Sequence, residues 1–338
     1  MASPVHTYFY SMVEVAVVKF FLDHQIFRAI PCEDDASICH EELASKSGVE
    51  LSLLVRFLNF LIAAGVLSAP KPGHVAHTTP SMIWLREDAS CFFQHIFDFF
   101  FVSAARWPST TLLGGEVLAP PPILLYLTRL QKAASFNATM ALAVAEMPVT
   151  GTYDFSWVDS NVSDGPTGDR RAILVDVGGG KGQALKAILE ENPHIPADRC
   201  VLQDNVDEVV KQDRDGVMNT VGKQVVNFFD EQPVKGAPVY HVRRVLNDWP
   251  DEACFTILRR LREACAPDSR VLVAENLLPP QALGSIDLCA VDLFMMNFGG
   301  KRRTEENYAH IASSAGFRIS SVSWADPSKF AVIEMVPI

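Results

Sequence analysis

The sequence predicts an α/β protein in which a doubly wound, mostly parallel sheet follows a smaller helical region. Three observations lead to this prediction. After residue 171, short apolar runs typical of buried strands alternate with amphipathic helical stretches. Before residue 80, the pattern is helix, helix and hairpin. Residues 151–170 are polar and rich in Gly, Asp and Ser, as loops between domains are, so we predict domains at 1–150 and 151–338.

The first elements are helical. Apolar positions recur at helical spacing between Val15 and Ile26, and the segment ELASKSG predicts a short helix that ends at Gly48. A longer helix in LSLLVRFLNFLIAAG ends at Gly65, and two short strands then flank the turn PKPG. This order is typical of a winged helix. Reading DNA is the best-known use of that motif, but the acidic chain and the apolar second helix favour packing or dimerisation.

The later elements alternate in type. Strands are predicted at 173–179, 199–204, 238–246 and 269–276, with helices at 181–193 and 251–267. In a doubly wound sheet, ligands bind at the carboxyl ends of the strands.

Charge and composition exclude several classes of partner. The formal net charge is −11 and the pI is near 5.3, with no run of five Lys or Arg, so we expect no nucleic acid and no anionic membrane surface. The N-terminus has no signal-peptide pattern, and no apolar stretch approaches the about 18 residues that span a bilayer. We therefore expect a cytoplasmic protein. The seven cysteines are scattered without a C-x-x-C pair, so no metal site is expected.

The segment VDVGGGKG (175–182) places a glycine-rich turn between a strand and a helix. Asp176 lies in the strand and is a candidate cofactor-binding residue, while Gly178, Gly180 and Gly182 allow a ligand to approach the backbone and the free N–H groups of the helix. Nicotinamide cofactors also use such turns. Asp204, at the end of the next strand, is placed to bind a ribose diol, the alternative being a cap for the helix NVDEVV.

Several motifs in order resemble those of the plant and fungal small-molecule O-methyltransferases that use S-adenosylmethionine. They are VDVGGGKG, LQD, NFFDEQPVKGAPVY, RRVLNDWPDEAC, VLVAENLLP and DLFMMNFGGKRRTEENY. The resemblance implies a Rossmann-like class I methyltransferase fold behind an N-terminal helical, winged-helix dimerisation domain, and hence a homodimer. The family has a further helical stretch before the point where this chain begins, so a short or trimmed N-terminus is expected.

The resemblance also implies a binding site for S-adenosyl-L-methionine or S-adenosyl-L-homocysteine. The three glycines would line its methionine and ribose portions, with Asp204 on the ribose hydroxyls. Asn227 and Phe228 fall where the family has an acidic and an apolar residue beside the adenine, and the Asn227 carbonyl still accepts a hydrogen bond. Arg243 matches a Lys position near the cofactor.

The catalytic positions depart from the family. Methyl transfer to a phenol of pKa about 10 needs a base, and the family places a His where this chain has Asn247, which is not a base. Of the two acidic residues that flank the His, Glu275 is kept and Arg302 replaces the other. Together with Lys301, these side chains form a hydrogen-bond donor set that suits a carbonyl or an oxyanion.

The donor set resembles that of fungal O-methyltransferase-like pericyclases, the leporin pericyclase class, which catalyse Alder-ene and hetero-Diels–Alder reactions. We therefore hypothesise a non-methylating cyclase or pericyclase of secondary metabolism that acts on a reactive polyketide or pyridone intermediate. The runner-up is an O-methyltransferase that acts on an acidic phenolic or enolic hydroxyl without a His base. A cofactor-binding scaffold for another enzyme is a third alternative.

A small apolar substrate is expected, since helical segments at 91–107 and 124–147 are rich in aromatic residues. The candidates for its pocket, each with core packing as the alternative, are Phe101, Trp107, Met140, Met295 and Met296. His95 is a weak candidate for an acid or base. Asp248 either touches the substrate or caps the helix that follows it.

Overall fold

The computed structural model describes two compact units of this chain. Described residues up to 104 lie in the first unit, and those from 147 onward lie in the second. Each unit has its own apolar core. The described residues are 4–33, 36–101, 104, 147–158, 171–205, 216–278, 289–290, 292–293, 295, 300–325 and 330–338.

The first unit combines helices with a small antiparallel sheet. Its helices are α1 (Pro4–Asp23), α2 (Ile26–Ala29), α3 (His40–Ser47), α4 (Leu51–Ala63) and α5 (Glu87–Ile96), with a 3₁₀ turn at Pro80–Leu85 and a π-helical turn at Phe97–Phe101. Strands β1 (Ile38–Cys39), β2 (Leu67–Ser68) and β3 (His74–His77) pair in the order β1-β3-β2. The predicted sequence of helix, helix and hairpin is thus confirmed.

Local chemistry explains where α3 and α4 begin and end. Gly48 follows α3 at φ +69°, a left-handed conformation that favours glycine. The Glu50 carboxylate caps α4 by accepting hydrogen bonds from the Ser52 and Leu53 N–H groups, both at 2.9 Å. Leu54, Leu58 and Leu61 then repeat on one face of α4 and are fully buried in the core of the first unit.

Helix α1 differs from the sequence-based expectation about membranes. By length and composition it is apolar enough to cross a bilayer, so the statement that no stretch approaches this length is wrong. The reason is that α1 is apolar nearly all round. Val17, Val18, Phe21 and Leu22 are buried in the core of the unit, whereas its N-terminal half exposes large apolar side chains.

The second unit is built on a seven-stranded sheet in the order β6-β5-β4-β7-β8-β10-β9. The strands are β4 (Leu174–Val177), β5 (Cys200–Asp204), β6 (Gly222–Val225), β7 (Val239–Arg243), β8 (Arg270–Asn276), β9 (Phe317–Trp324) and β10 (Phe330–Pro337). The helices are α6 (Gln183–Glu191), α7 (Asp251–Ala264) and α8 (Glu305–Ser314), and 3₁₀ turns lie at Ala197–Arg199, Gly216–Asn219 and Leu246–Asp248. Strands β4 to β8 are parallel, and β10 runs antiparallel to both of its neighbours.

The strand order brings distant parts of the chain to one edge of this sheet. It reverses between β4 and β7, where doubly wound sheets form a ligand crevice. The carboxyl ends of β4, β5, β7 and β8 carry the glycine-rich turn, Asp204, the Leu246–Asp248 turn and Glu275. The predicted doubly wound, mostly parallel sheet is confirmed, and its edge gathers most of the predicted site residues.

Candidate functional site

The turn at residues 178–182, which joins β4 to α6, is the first component of the site, and we call it the glycine turn. Gly178 and Gly182 adopt φ of +68° and +84°. A Cβ atom at Gly178 would lie 2.8 Å from Val245 Cγ2, and one at Gly182 would lie 2.8 Å from Met218 Cε. Both positions therefore need glycine for conformation and for space.

Three N–H groups of the glycine turn are bonded within the protein. Gly179 donates to the Gln203 carbonyl, and Gly182 donates to the Gly179 carbonyl, each at 3.0 Å. The Gly180 N–H donates to Asp204 Oδ2, also at 3.0 Å. Asp204 thus fixes the turn from the end of β5, and the carboxylate predicted to bind a ribose lies directly beside it.

Asp176 lies beneath the glycine turn with no exposed surface. His241, on the neighbouring strand β7, donates from Nδ1 to Asp176 Oδ1 at 2.8 Å. The other oxygen, Oδ2, is buried and has no hydrogen-bond partner in the part of the chain that the structure describes. A buried carboxylate oxygen without a donor is costly, so this atom is suited to a donor group on a ligand.

Three further predicted cofactor residues lie at the same edge of the sheet. Arg243 donates from Nη2 to the Met147 carbonyl at 2.8 Å, and burial lowers its pKa to about 10, so it stays charged at neutral pH. Phe228 packs edge-on against Trp249, with ring centroids 6.0 Å apart. Asn227 is exposed, and its Oδ1 accepts from the Phe229 N–H at 3.3 Å.

Four side chains form a second component, which we call the polar corner: Asn247, Asp248, Glu275 and Arg302. The Asn247 N–H donates to Glu275 Oε1 at 3.4 Å, and its Nδ2 donates to Asp248 Oδ1 at 2.8 Å. Arg302 donates from Nη1 to the Asn276 carbonyl at 3.4 Å, directly after Glu275 in β8. The structure therefore brings together the two positions that differ from the family, Asn247 and Arg302, and the one that is kept, Glu275.

Each of three residues in the polar corner has a buried polar atom without a hydrogen-bond partner among the described residues. These atoms are Asn247 Oδ1, Glu275 Oε2 and Arg302 Nε. Buried polar groups are normally paired, because each unpaired one costs about 1–3 kcal/mol. The corner therefore offers two acceptors and one donor to a ligand or to water.

Burial and the neighbouring charges together shift the pKa values of the ionisable side chains in the polar corner. Burial raises the pKa of Glu275 to about 7, and the nearby Arg302 opposes this shift. Desolvation by the surrounding protein atoms also raises the pKa of Asp248, although part of that residue is exposed to solvent. Burial lowers the pKa of Arg302, and the attraction of Glu275 opposes it. Glu275 is thus a carboxyl group able to accept or release a proton near pH 7.

A fully buried arginine, Arg303, holds the turn that carries Asn247. Its Nη1 donates to the Leu246 carbonyl at 2.8 Å and its Nη2 to the Trp249 carbonyl at 2.7 Å. Its Nε donates to Asp251 Oδ1 at 2.8 Å. Sequence reasoning missed this residue, although it is the second Arg of the segment GGKRRT that signalled Arg302.

The chain on the other side of the corner is packed equally closely. A Cβ at Gly300 would collide with the Asn247 carbonyl, so only glycine fits there. The Lys301 N–H donates to that same carbonyl at 3.1 Å. The Lys301 ammonium, however, pairs with Asp251 at the start of α7, so its predicted role toward a substrate stays a prediction.

The remaining predicted residues are dispersed. Met295 is buried in the second unit, whereas Phe101 lies in the first unit, is partly exposed and stacks on Phe97 with centroids 5.4 Å apart. His95 belongs to α5, but its side chain lies outside the described part of the chain. Trp107, Met140, Met296 and the helix suggested after Asp204 also lie outside the described residues. The capping role considered for Asp248 is wrong, because Pro250 occupies the N-cap position before α7 and no side chain among the described residues caps the helix.

The strand order and the glycine turn define a class I methyltransferase fold, and comparison with known proteins agrees. A family model described as an O-methyltransferase domain matches residues 169–318. "Methyltransferase fsa4" of a Fusarium species is 49% identical over 356 residues, covering 99% of this chain and 96% of the relative. The chain belongs to the S-adenosylmethionine-dependent O-methyltransferase family, which confirms the resemblance noted in its motifs.

Solved structures share the fold over the whole chain. OxaC in complex with S-adenosylhomocysteine (SAH) and oxaline has a TM-score of 0.84 at 23% identity, covering 100% of this chain and 88% of that one. LepI in complex with SAH and a substrate analogue has a TM-score of 0.76 at 19% identity, covering 100% and 90%. At these identities the likeness establishes the fold alone.

The residues at the glycine turn fit S-adenosylmethionine. Its ammonium and ribose hydroxyl groups are hydrogen-bond donors, and the site offers the buried, unpartnered Asp176 Oδ2 and the Asp204 carboxylate as acceptors. Gly178 and Gly182 keep side chains out of the turn. The predicted cofactor is thus confirmed by the family and agrees with the chemistry of these side chains.

Proposed function

We propose that this protein transfers a methyl group to an acidic phenolic or enolic hydroxyl of a small apolar secondary metabolite, without a histidine base. The observation that carries the proposal is the polar corner: Glu275 with a pKa of about 7 lies beside Asn247 and Arg302. The intact glycine turn and the high identity to a protein named as a methyltransferase support it. Methyl transfer is preferred to the pericyclic reaction that the sequence suggested first, since Glu275 provides a base where Asn247 does not.

Each residue has a distinct part in this reaction. When bound, S-adenosylmethionine supplies an electrophilic methyl group. Asp176 and Asp204 hold the cofactor. Arg302 stabilises the acceptor oxygen as an anion, and Asn247 orients it by hydrogen bonding. Glu275 accepts the hydroxyl proton when the acceptor arrives neutral, which its pKa near 7 makes efficient at physiological pH.

The experiment is to incubate the purified protein with methyl-labelled cofactor and a panel of hydroxylated polyketide and pyridone compounds graded by acidity. Label should enter the acidic acceptors over many turnovers. With Glu275→Gln, transfer to weakly acidic phenols should fall about 100-fold, whereas transfer to acceptors already ionised should change little. Consumption of the compounds without any label in the products would defeat the proposal.

A second candidate is the pericyclase considered from the sequence, an Alder-ene or hetero-Diels–Alder enzyme that keeps its cofactor. The observation that favours it is the unpartnered donor Arg302 Nε, which suits a substrate carbonyl and would withdraw electrons from a conjugated system. In the same assay this enzyme would yield isomeric or dehydrated products with SAH as well as with S-adenosylmethionine. Dependence of any product on a second polypeptide would instead favour the scaffold alternative.

We further propose that the protein is a homodimer that pairs through α1. Val5, Tyr8, Phe9 and Met12 each expose more than half of their surface, which is unusual for a run of large apolar residues. The variant Phe9→Asp should shift the molar mass measured by light scattering from dimer toward monomer. Exposed Glu42→Lys on α3 serves as the control, and a monomeric wild-type protein would contradict the proposal.

A further inference from the structure

Arg244 has a backbone conformation that an arginine seldom adopts. Among the described residues, Gln25 and Arg244 are the two that have positive φ without being glycine, and Arg244 has φ of +56°. In this left-handed region the Cβ crowds the carbonyl oxygen, so glycine would be more stable there. Strain of this kind persists mainly where a side chain has a function.

The strained residue lies between the strand and the polar corner. Arg244 directly follows β7, and its N–H donates to the carbonyl of Ala274, the neighbour of Glu275, at 3.1 Å. The left-handed step turns the chain from the sheet edge into the Leu246–Asp248 turn that carries Asn247. A glycine would make the same step without strain, so the turn alone does not require arginine.

The charge of Arg244 acts on every ionisable member of the polar corner. It lowers the pKa of Asp248 and Glu275 by attraction and lowers that of Arg302 by repulsion. Arg244 thus adds a second guanidinium charge to that of Arg302, next to the two carboxyl groups of the corner, Asp248 and Glu275. Because burial favours the uncharged form of Glu275, positive charge outweighs negative charge among these four groups at neutral pH.

We propose that Arg244 is a specificity-determining residue that acts with Arg302 to select an acceptor in its anionic form, an ionised enol or phenol. The proposal rests on the function proposed above and adds the charge state of the acceptor to it. A neutral acceptor gains little from a second guanidinium, whereas an anion compensates the positive corner and gains a charge-assisted interaction. The side chain is therefore retained at a position where its backbone is strained.

Three substitutions separate charge from strain. Arg244→Gly removes both, Arg244→Gln removes the charge and keeps the strain, and Arg244→Lys keeps both in a different shape. Gln25→Gly, in the other unit, removes strain at φ of +54° and is the matched control. The probes are 4-hydroxycoumarin, which is anionic near neutral pH, and the neutral coumarin, with affinity measured on SAH-saturated protein.

We expect wild-type protein to bind 4-hydroxycoumarin more tightly than coumarin. Arg244→Gln and Arg244→Gly should each weaken 4-hydroxycoumarin about tenfold and leave coumarin unchanged, with Arg244→Lys in between. Only the two glycine variants should raise Tm, by about 2–4 °C. A purely structural role would make affinity follow Tm rather than charge.

The proposal is overturned if wild-type protein has no preference for the anionic probe, or if Arg244→Gln retains that preference. SAH affinity, measured in parallel, should be equal in all four variants, and a loss confined to the Arg244 variants would assign the residue to the cofactor instead. Anion preference without transfer of labelled methyl would leave this inference standing and reject the proposed methyl transfer.

Discussion

The glycine turn and the polar corner lie at the same edge of one sheet but treat their polar groups in opposite ways. In the turn, the N–H groups of Gly179, Gly180 and Gly182 are all bonded within the protein. In the corner, Asn247 Oδ1 and Glu275 Oε2 are buried and have no hydrogen-bond partner within the described ranges. The turn is therefore set by backbone geometry before any ligand binds, whereas the corner is completed by what binds to it. Side chains in the corner are thus able to change the chemistry while the cofactor half stays the same.

Replacement of Arg303, the buried arginine that holds the Asn247 turn, should disrupt the polar corner most strongly. Arg303→Met removes two charge-assisted hydrogen bonds, to the carbonyls of Leu246 and Trp249, in a buried site and leaves these carbonyls mainly with the weak Cys254 thiol donor. We therefore expect the free energy of unfolding to fall by about 3–5 kcal/mol. Chemical denaturation with SAH present and absent measures this loss. Activity should disappear in whatever fraction still folds, because the Asn247 turn is no longer fixed.

Lys301→Met is the matched control, since Lys301 shares the partner Asp251 but is substantially exposed. Exposed ion pairs contribute about 0–1 kcal/mol, so its stability should stay close to that of the wild type. Equal losses in the two variants would mean that Asp251, rather than the clamped carbonyls, maintains the corner.

The glycine turn should be nearly as sensitive at one position and tolerant at another. Gly178→Val adds a side chain at positive φ against Val245, so we expect about 3 kcal/mol of destabilisation and at least about a 100-fold weaker Kd for SAH. Gly180→Ala has positive φ as well but meets open space, and should cost about 1 kcal/mol. Calorimetric titration with SAH checks both. Similar effects in both variants would show that conformation alone, not packing, fixes the turn.

Most of the parallel strands were predictable from the sequence, because buried strands such as β4 appear as unbroken apolar runs. The two edge strands, β6 and β9, were not predicted, and neither was the buried strand β10. β6 (GKQV) and β9 have largely exposed side chains and therefore lack such a run. The glycine turn was recognisable since its residues are adjacent in the chain and their spacing is itself the motif.

The frame of the polar corner was not predictable in the same way. Arg303 binds carbonyls of residues more than fifty positions earlier, and a backbone carbonyl acceptor leaves no mark in the sequence. The positive φ of Arg244 is equally invisible, as arginine gives no signal for a left-handed turn. Asn247 and Arg302 were identified only because they replace residues expected from the family. Their place in the site was therefore predicted, but their unpaired atoms were not.

The raised pKa of Glu275 should make the free energy of unfolding depend on pH. Its pKa rises from the ordinary value of 4.5 to about 7 on folding, so the folded state binds the proton more tightly. The stability that this proton provides is fully present below pH 4.5 and is lost as the pH rises through 7. Relative to the wild type, Glu275→Gln should therefore gain up to about 3 kcal/mol between pH 4.5 and pH 8.

Denaturant unfolding of the two proteins across this pH range gives the difference directly, and this difference includes the electrostatic interaction of Glu275 with Asp248. Glu334→Gln is the comparison on β10, where hydrogen bonds lower the pKa of the carboxyl despite burial. The contribution of Glu334 to stability is lost only at pH values below its ordinary pKa of 4.5, so its difference curve should be nearly flat from about pH 5 to 8. A flat difference curve for Glu275→Gln would mean that its carboxyl titrates as in solution and does not serve as a base near pH 7.

Restoring the family's histidine should have the smallest effect. In Asn247→His the imidazole meets Arg302 where the family has a carboxylate, and this cation disfavours the imidazolium that a base becomes after taking a proton. We expect transfer of labelled methyl to a weakly acidic phenol to rise less than about tenfold, or about 1.4 kcal/mol in barrier. The double variant Asn247→His with Arg302→Glu should exceed the product of the single effects, because the new carboxylate stabilises the imidazolium. Strong activity in the single variant would show that the guanidinium does not control proton transfer, and the corner would then differ from the family at one position rather than two.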